Sequence, residues 1–159
     1  MFGPGVIFPL LVTLPLITIP SVFHFWLHWD DFPLELNLAS LALLSGIYFC
    51  MFLVSCFEPG FIPRASAGPC DPPNGATVTC QSETDLWKWC GTCKIWRPPR
   101  AKHCRTTDAC VRYFDHYCPW MGNTIARRNY RAFYCFVTLL IIYCLNILGR
   151  NNPFSIIMF

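Results

Sequence analysis

Charge is the first scarcity. Only 13% of the 159 residues are Asp, Glu, Lys or Arg, while 54% are hydrophobic, a balance that excludes an ordinary soluble domain. Residues 36–57 hold no formal charge at any of their 22 positions. The opening Phe2-Gly3-Pro4-Gly5 lacks the basic n-region and small-residue cleavage site of a secretory leader, so no cleaved signal peptide is expected. Acidic side chains are rarest between 88 and 131, where only Asp108 and Asp115 stand among ten Lys and Arg, a surplus of eight positive charges. Cysteine, in contrast, is abundant. Eleven is an odd count, which excludes complete disulfide pairing. A C-x2-C pair close to a histidine is metal spacing rather than a disulfide framework. Other cysteines, such as Cys50, Cys56, Cys135 and Cys144, sit in apolar runs, where a thiol behaves as a small hydrophobe. A reducing, cytosol-facing setting follows for the cysteine-rich block.

The apolar residues gather into three runs, each read as a transmembrane helix because about 20 residues cross the hydrocarbon core. The first covers 6–29, contains Pro9, Pro15 and Pro20, and carries Trp26 and Trp29 near its far end, where tryptophan suits the interface. Three prolines suggest kinks, which membrane helices tolerate; a buried core helix is the plainer alternative for this segment alone. The second run is 36–57, and Asp30–Pro33 forms an acidic turn between these two antiparallel spans. Glu58-Pro59-Gly60 stops the second span. Residues 58–87 read as a linker rich in Pro, Gly, Ser and Thr, and 88–131 as the cysteine-rich domain. A third span is expected at 132–148, followed by a short tail, 149–159. Eleven of the twelve basic residues lie between spans two and three, so the cysteine-rich domain faces the cytosol and the acidic turn faces the other side. The fold class is an all-α multipass membrane protein with a small, zinc-stabilised, loop-rich cytosolic domain.

Five cysteines and two histidines fall within the 29 residues from Cys90 to Cys118. Cys90 and Cys93 can share one tetrahedral ion, and His103 and Cys110 complete a Cys3His set of ligand types that zinc favours. Such a site can hold a segment with too little core to fold alone. A nucleic-acid zinc finger would use the same ligands, but flanking spans place this block at a membrane surface, so no nucleic acid is expected as a partner. Asp115-His116-Tyr117-Cys118 offers different chemistry. An imidazole can turn a thiol into a nucleophilic thiolate, and a carboxylate can orient that imidazole. Spacing alone leaves two readings open, a catalytic trio or a second metal pair. The surrounding Lys and Arg suit CoA phosphates, anionic lipid headgroups, or nothing beyond a topology signal.

The run C-x2-C-x3-R-P-P-R-A-x-H-C, then C-V-x-x-F-D-H-Y-C-P-W-M-G-N, then R-N-Y-R-A-F, resembles the cysteine-rich domain of the DHHC protein S-palmitoyltransferases in a DHYC variant. Glu58-Pro59-Gly60 resembles the family's Asp-Pro-Gly just after the second span. The resemblance implies a transferase that moves a palmitoyl-type group from acyl-CoA to Cys118, then to cysteines of membrane-associated target proteins. It implies Cys118 as nucleophile, His116 as base, Asp115 as its orienter, and Cys90, Cys93, His103 and Cys110 as ligands of one structural zinc. Acyl-CoA is the implied co-substrate, the lipid bilayer a partner, and an endomembrane such as Golgi or ER the location. Arg97 and Arg100 match family positions without an assigned role. The family's second zinc site would use positions 104, 107, 117 and 124, where this sequence has Cys104, Thr107, Tyr117 and Thr124. Neutral hydroxyls are poor substitutes for thiolate and imidazole, so one zinc is expected rather than two. Ala126 stands where the family usually has glycine. A fourth span and the family's Thr-Thr-x-Glu motif are missing, so a truncated chain is expected. The rival reading is a catalytically inactive zinc-binding membrane adaptor.

Overall fold

The computed structural model of the chain describes residues 9–64 and 87–150. The first residues of the expected first span, most of the 58–87 linker and most of the 149–159 tail lie outside the described residues. Helix α1 runs Leu14–His28 and continues a π-helical turn at Pro9–Thr13. Helix α2 is Leu34–Cys56 and α3 is Tyr130–Arg150. All three are long and apolar enough to cross a membrane, counting 20 residues from Pro9 to His28, 23 in α2 and 21 in α3. Pro15 follows close on the π-helical turn.

The helices meet along narrow stripes. Ile47, Met51 and Val54 recur at helical spacing on α2 and pack with Phe136 and Tyr143 of α3. Leu16, Phe23 and Trp26 of α1, Phe49 and Phe52 of α2, and Leu145 of α3 point outward and are exposed. Apolar side chains on an outer surface are what lipid solvates. Gly46 lets α2 and α3 approach closely, since a Cβ there would lie 3.2 Å from Leu139 Cδ1.

At the end of α3 farthest from the cysteine-rich domain, Arg150 is buried. Its guanidinium donates to Asn37 Oδ1 and, at 2.9 Å, to Ser40 Oγ, and it lies over the Phe32 ring at 4.2 Å. Ser40 in turn donates to Asn146 Oδ1 at 2.8 Å, and Asn37 Nδ2 donates to the Trp29 carbonyl at 2.9 Å. A polar knot thus ties the α1–α2 turn to the end of α3.

The cysteine-rich segment contains more strand than its turn-forming residues announce. It comprises β2 (Lys88–Cys90), β3 (Ile95–Arg97), β4 (Lys102–Cys104), β5 (Ala109–Val111), β6 (His116–Cys118) and β7 (Asn123–Ile125). A short β1, Phe61–Ile62, lies just beyond α2. Three antiparallel sheets result, ordered β1-β5-β4, β2-β3 and β6-β7. Because β1 pairs with β5, the chain leaving the membrane helix becomes an edge of the domain's own sheet. Gly60 makes that exit possible: its φ of 113° is open to glycine but strained for other residues, and its carbonyl accepts from Arg112 N at 3.0 Å.

The α2–α3 seam gives the first prediction. Gly46→Leu adds side-chain volume against Leu139 and is expected to lower stability by about 1–3 kcal/mol, read as a lower melting temperature of the detergent-solubilised protein. An unchanged melting temperature would show that the two helices separate freely at this point.

Candidate active site and metal centre

Two hairpins bring one ligand set together. β2 and β3 place Cys90 and Cys93 around a tight turn, and β4 and β5 present His103 opposite Cys110 as a cross-strand pair. The ligand atoms of Cys90, Cys93, His103 and Cys110 all lie within 4.8 Å of one another, and the three cysteines are buried. His103 Nδ1 is 3.4 Å from Cys93 Sγ and 3.9 Å from Cys110 Sγ. Ligands of a tetrahedral zinc, at roughly 2.0–2.3 Å from the ion, are separated by about 3.5–3.8 Å, so these residues fit such an ion with little movement. The thiols conflict without a cation. Burial pushes Cys110 up, and competition with Cys90 and Cys93 pushes it further. Burial opposes ionisation of Cys90 as well, but hydrogen bonds from the Cys93 and Thr92 backbone N–H groups and the Cys110 and Cys93 side chains together outweigh it and leave that thiol below its ordinary value. A divalent ion removes this conflict by favouring all three thiolates.

The ligand set has an outer support that sequence reading did not single out. His103 Nε2 lies 3.5 Å from Asp108 Oδ1, and Arg64 donates to the same carboxylate group. A carboxylate behind a ligating histidine fixes the ring's tautomer and orientation. Asp108 occupies a left-handed turn with φ of 47°, a conformation Asp tolerates better than most residues. The sequence signal, one of only two acids in a basic block, was present but said nothing of its aim.

The positions of the absent second ligand set also converge. Thr124 Oγ1 donates to Cys104 Sγ at 3.4 Å, and Thr107 Oγ1 lies 3.5 Å from Thr124 Oγ1. Cys104, Val111 and Ala126 are buried together, with Phe114 and Tyr117 packed against them. Cys104 is therefore not stranded. Burial disfavours its thiolate, but hydrogen bonds from the Thr107 and Thr124 side chains outweigh this and hold the thiol below its ordinary value. Burial, with the Cys104 and Cys118 thiols nearby, pushes the Tyr117 phenol up, so it stays a neutral hydroxyl.

The Asp115–Cys118 segment lies mainly on β6. Side chains two apart on a strand share a face, so His116 and Cys118 point one way while Tyr117 points to the Cys104 cluster. Asp115 Oδ2 is 3.2 Å from His116 Nδ1, and the imidazole stands edge-on to Phe133 of α3, with centroids 5.4 Å apart. Cys118 is buried in the apolar cluster that includes Ile47, Met51 and Val54 of α2. Among the described residues no direct hydrogen bond joins His116 to Cys118, so these two share a face, with Asp115 beside the imidazole, without forming a closed relay. Burial pushes the Cys118 thiol up, against smaller lowering effects from the backbone N–H groups of Met121 and Trp120.

Two asparagines and one threonine hold this hairpin to the spans. Cys118 and Asn123 face one another across β6 and β7. Asn123 Nδ2 lies within hydrogen-bond distance of the Val54 and Phe57 carbonyls, at 2.9 Å each, and of Ser55 O at 3.4 Å. Asn129 Nδ2 adds bonds to Val54 O at 3.4 Å and Thr124 O at 2.9 Å. From the π-helical turn before α1, Thr13 Oγ1 donates to the Trp120 carbonyl at 2.7 Å. Arg128 pairs with Glu58 across the same junction.

One cavity adjoins the site and a second lies among the helices. One, of about 790 Å³, is basic and includes Arg100, Tyr113, Asp115, Arg127 and Arg131 in its lining. Arg100 and Arg127 lie over the Tyr113 ring at 5.2 and 5.0 Å. The other, of about 450 Å³, lies between α1 and α3 and is lined by largely apolar side chains, among them Leu16, Ile17, Leu140 and Ile147.

A Cys3His cluster able to hold a metal ion, beside an Asp-His-x-Cys hairpin, defines a cysteine-rich domain joined to helices long and apolar enough to cross a membrane. Residues 83–152 match the family model described as DHHC palmitoyltransferase, and the chain carries a domain of that family. Mouse "Palmitoyltransferase ZDHHC18" is 35% identical over 160 residues, covering 87% of this chain and 41% of that protein. Mouse "Palmitoyltransferase ZDHHC14" is 38% identical over 125 residues, covering 64% of this chain and 26% of that protein. Zebrafish "Palmitoyltransferase ZDHHC5-B" is 40% identical over 106 residues, covering 64% of this chain and 16% of that protein. The chain thus spans less than half the length of each of these curated relatives.

The burial of Cys118 predicts slow alkylation by iodoacetamide in the resting protein, with an inflection above the roughly 8.5 of a free thiol. The sign follows from the raised pKa: the neutral thiol persists to higher pH in the fold than in the denatured chain. Peptide-resolved mass spectrometry at a series of pH values checks this, and an inflection below that of the SDS-denatured protein would contradict it.

Proposed function

We propose that this chain is the membrane and catalytic part of a protein S-acyltransferase that takes a palmitoyl-type group from acyl-CoA and passes it to cysteines of membrane-associated proteins. The observation that carries the reading is the placement of Cys118. It shares a strand face with His116, which an Asp115 carboxylate orients, and its sulfur sits in the apolar cluster of the spans. A thiol at the boundary of lipid and water can meet a thioester whose chain lies in the bilayer.

The chemistry follows from those groups. Nδ1–H of His116 faces Asp115, leaving Nε2 as base. As acyl-CoA arrives, His116 takes the Cys118 proton, Sγ attacks the thioester carbonyl, and the carbon–sulfur bond to CoA breaks. The CoA thiolate leaves with the proton that His116 held. In the second half, a substrate cysteine loses its proton to His116 and attacks the Cys118 thioester, and Cys118 regains a proton as it departs. The neutral resting thiol suits this order, because proton removal accompanies attack. Arg100, Arg127 and Arg131 offer charge for CoA phosphates, and the apolar cavity between α1 and α3 offers room for part of the chain. Cys90, Cys93, His103 and Cys110 hold one zinc, whose role is to fix the hairpins. The domain faces the cytosol, as its surplus of basic residues favours, and the family resemblance implies an endomembrane such as Golgi or ER.

The inactive-adaptor reading draws on Thr107, Tyr117 and Thr124, which replace ligands. Labelling the full-length protein with a fatty-acyl probe separates the two. Hydroxylamine-sensitive label that disappears in Cys118→Ser supports the transferase, and undiminished label in that variant removes it. His116→Ala is expected to slow labelling by roughly 10²-fold or more.

Metal count is a second expectation. Elemental analysis should find one zinc per chain, lost with the fold in Cys93→Ser because structural zinc contributes about 10 kcal/mol or more. Cys104→Ser should leave the count unchanged. Two zinc ions per chain would contradict the one-site reading. Topology provides a third: tags after Gly75 and after Arg150 should lie on opposite sides of the membrane, and finding both on one side would make the 130–150 helix re-entrant.

A further inference from the structure

We infer that the reactive hairpin is positioned by the membrane spans themselves, through Thr13 of the π-helical turn and Asn123 opposite Cys118, and that Thr13 is a positioning residue for acyl transfer. The inference rests on the acyl-transfer reading given above.

The geometry has three parts. Thr13 lies at the junction between the π-helical turn and α1. Thr13 has helical dihedrals, φ −66° and ψ −44°, and the helix runs through it from Pro9, so its hydroxyl is not needed as an N-terminal cap. Here the hydroxyl makes no such cap; it reaches residue 120 and donates to the Trp120 carbonyl at 2.7 Å, while the residue itself is buried. Trp120 lies in the 3-10 turn Pro119–Met121 that follows Cys118 directly, and Gly122 closes that turn by donating to Pro119 O at 3.0 Å. The turn is therefore held by the first span through the Trp120 carbonyl. A π-helical turn is rare and clusters at functional places, and in this chain it sits at the residue that reaches the turn.

The second grip is Asn123. It stands across the hairpin from Cys118, and its amide reaches carbonyls at the end of α2. The last carbonyls of a helix have no intrahelical partner, so this amide satisfies groups that burial would leave costly. The third part concerns what is missing elsewhere. The Cys104 cluster behind Tyr117 is joined by neutral hydroxyls and packing rather than by a full ligand set. One side of the hairpin thus lacks the rigid tether that a four-ligand ion provides, and the grip of α1 and α2 on the other side sets where Sγ points. Neither Thr13 nor Asn123 touches the reacting atoms; both act by holding the backbone that carries Cys118.

The test uses full-length protein in lipid nanodiscs, with single-turnover self-acylation from labelled palmitoyl-CoA across a concentration series. Thr13→Val removes the hydroxyl at nearly constant volume, and Thr13→Ser restores it. We expect Thr13→Val to lower the maximal self-acylation rate by about tenfold or more while half-saturation by palmitoyl-CoA, zinc content and melting temperature stay near wild type. Thr13→Ser should recover the rate. Alkylation of Cys118 by iodoacetamide should move the opposite way, faster in Thr13→Val and unchanged in Thr13→Ser, because the freed turn exposes the thiol. A wild-type rate in Thr13→Val, or a Thr13→Ser variant as slow as Thr13→Val, overturns the inference. If wild-type protein does not self-acylate, the transferase reading fails, and the alkylation pair alone still decides whether Thr13 grips the turn. Asn123→Ala tests the second grip in the same way, and Thr13→Val keeps the test decisive if Asn123→Ala does not fold.

Discussion

A helix that ends near the edge of a bilayer leaves its final carbonyls without partners in a region where water cannot be relied upon. Much of this structure follows from how α2 meets that constraint. Its chain turns out of the membrane at Phe57, whose N–H bonds back to Leu53 O at 3.0 Å. The carbonyls of Val54, Ser55 and Phe57 lie within reach of side-chain amides from the cysteine-rich domain. Pro59 and Gly60 then accept from Arg128 and Arg112, and Phe61–Ile62 becomes a sheet edge. Domain and span are consequently one unit, because each satisfies polar groups that the other would leave bare. The position of Cys118 beside the apolar stripe of α2 is a result of that exchange.

The Cys104 cluster shows how a small domain keeps its shape when ligands are absent. A thiol flanked by two threonine hydroxyls has donors enough to remain satisfied, and Ala126 contributes a methyl group to a fully buried position. Hydrogen bonds of this kind are worth about 0.5–1.5 kcal/mol each, far below the roughly 10 kcal/mol of a structural zinc. The replacement keeps the cluster packed and polar groups partnered, but it is softer. With a metal ion bound, the set of Cys90, Cys93, His103 and Cys110 would carry most of the local rigidity of the outer hairpins, while the inner hairpin leans on the helices.

Much of this architecture could be read from residue order. Apolar runs announced long helices, and C-x2-C with a following histidine and cysteine announced four atoms that do converge. Strands did not announce themselves. At three residues they are too short for alternation to register, and pairs such as Trp89 and Trp96 become visible only in the register of β2 with β3. Contacts across great sequence separation were equally silent. Thr13 reaches Trp120, Asn123 reaches Val54, and Arg150 reaches Asn37, and nothing local in those stretches marks the partner. The helices also include charged ends that a hydropathy window trims: α3 begins at Tyr130 and takes in both Arg131 and Arg150. A long side chain at a helix end can carry its charge to a polar region while its stem stays in an apolar one.

That last arginine has a mechanical meaning. Buried among Asn37, Ser40 and Phe32, the guanidinium fixes α3 lengthwise against α2 as a detent fixes a sliding bolt. Near the other end of the same bolt, Phe133 stands against the His116 ring. The two points are some 17 residues apart, about 25 Å along a helix that rises 1.5 Å per residue. A slip of one residue at the detent would carry Phe133 about 1.5 Å along the axis, a large step for a ring that steadies an imidazole. The hydrogen bonds at one end of α3 thereby hold in alignment a side chain at the other.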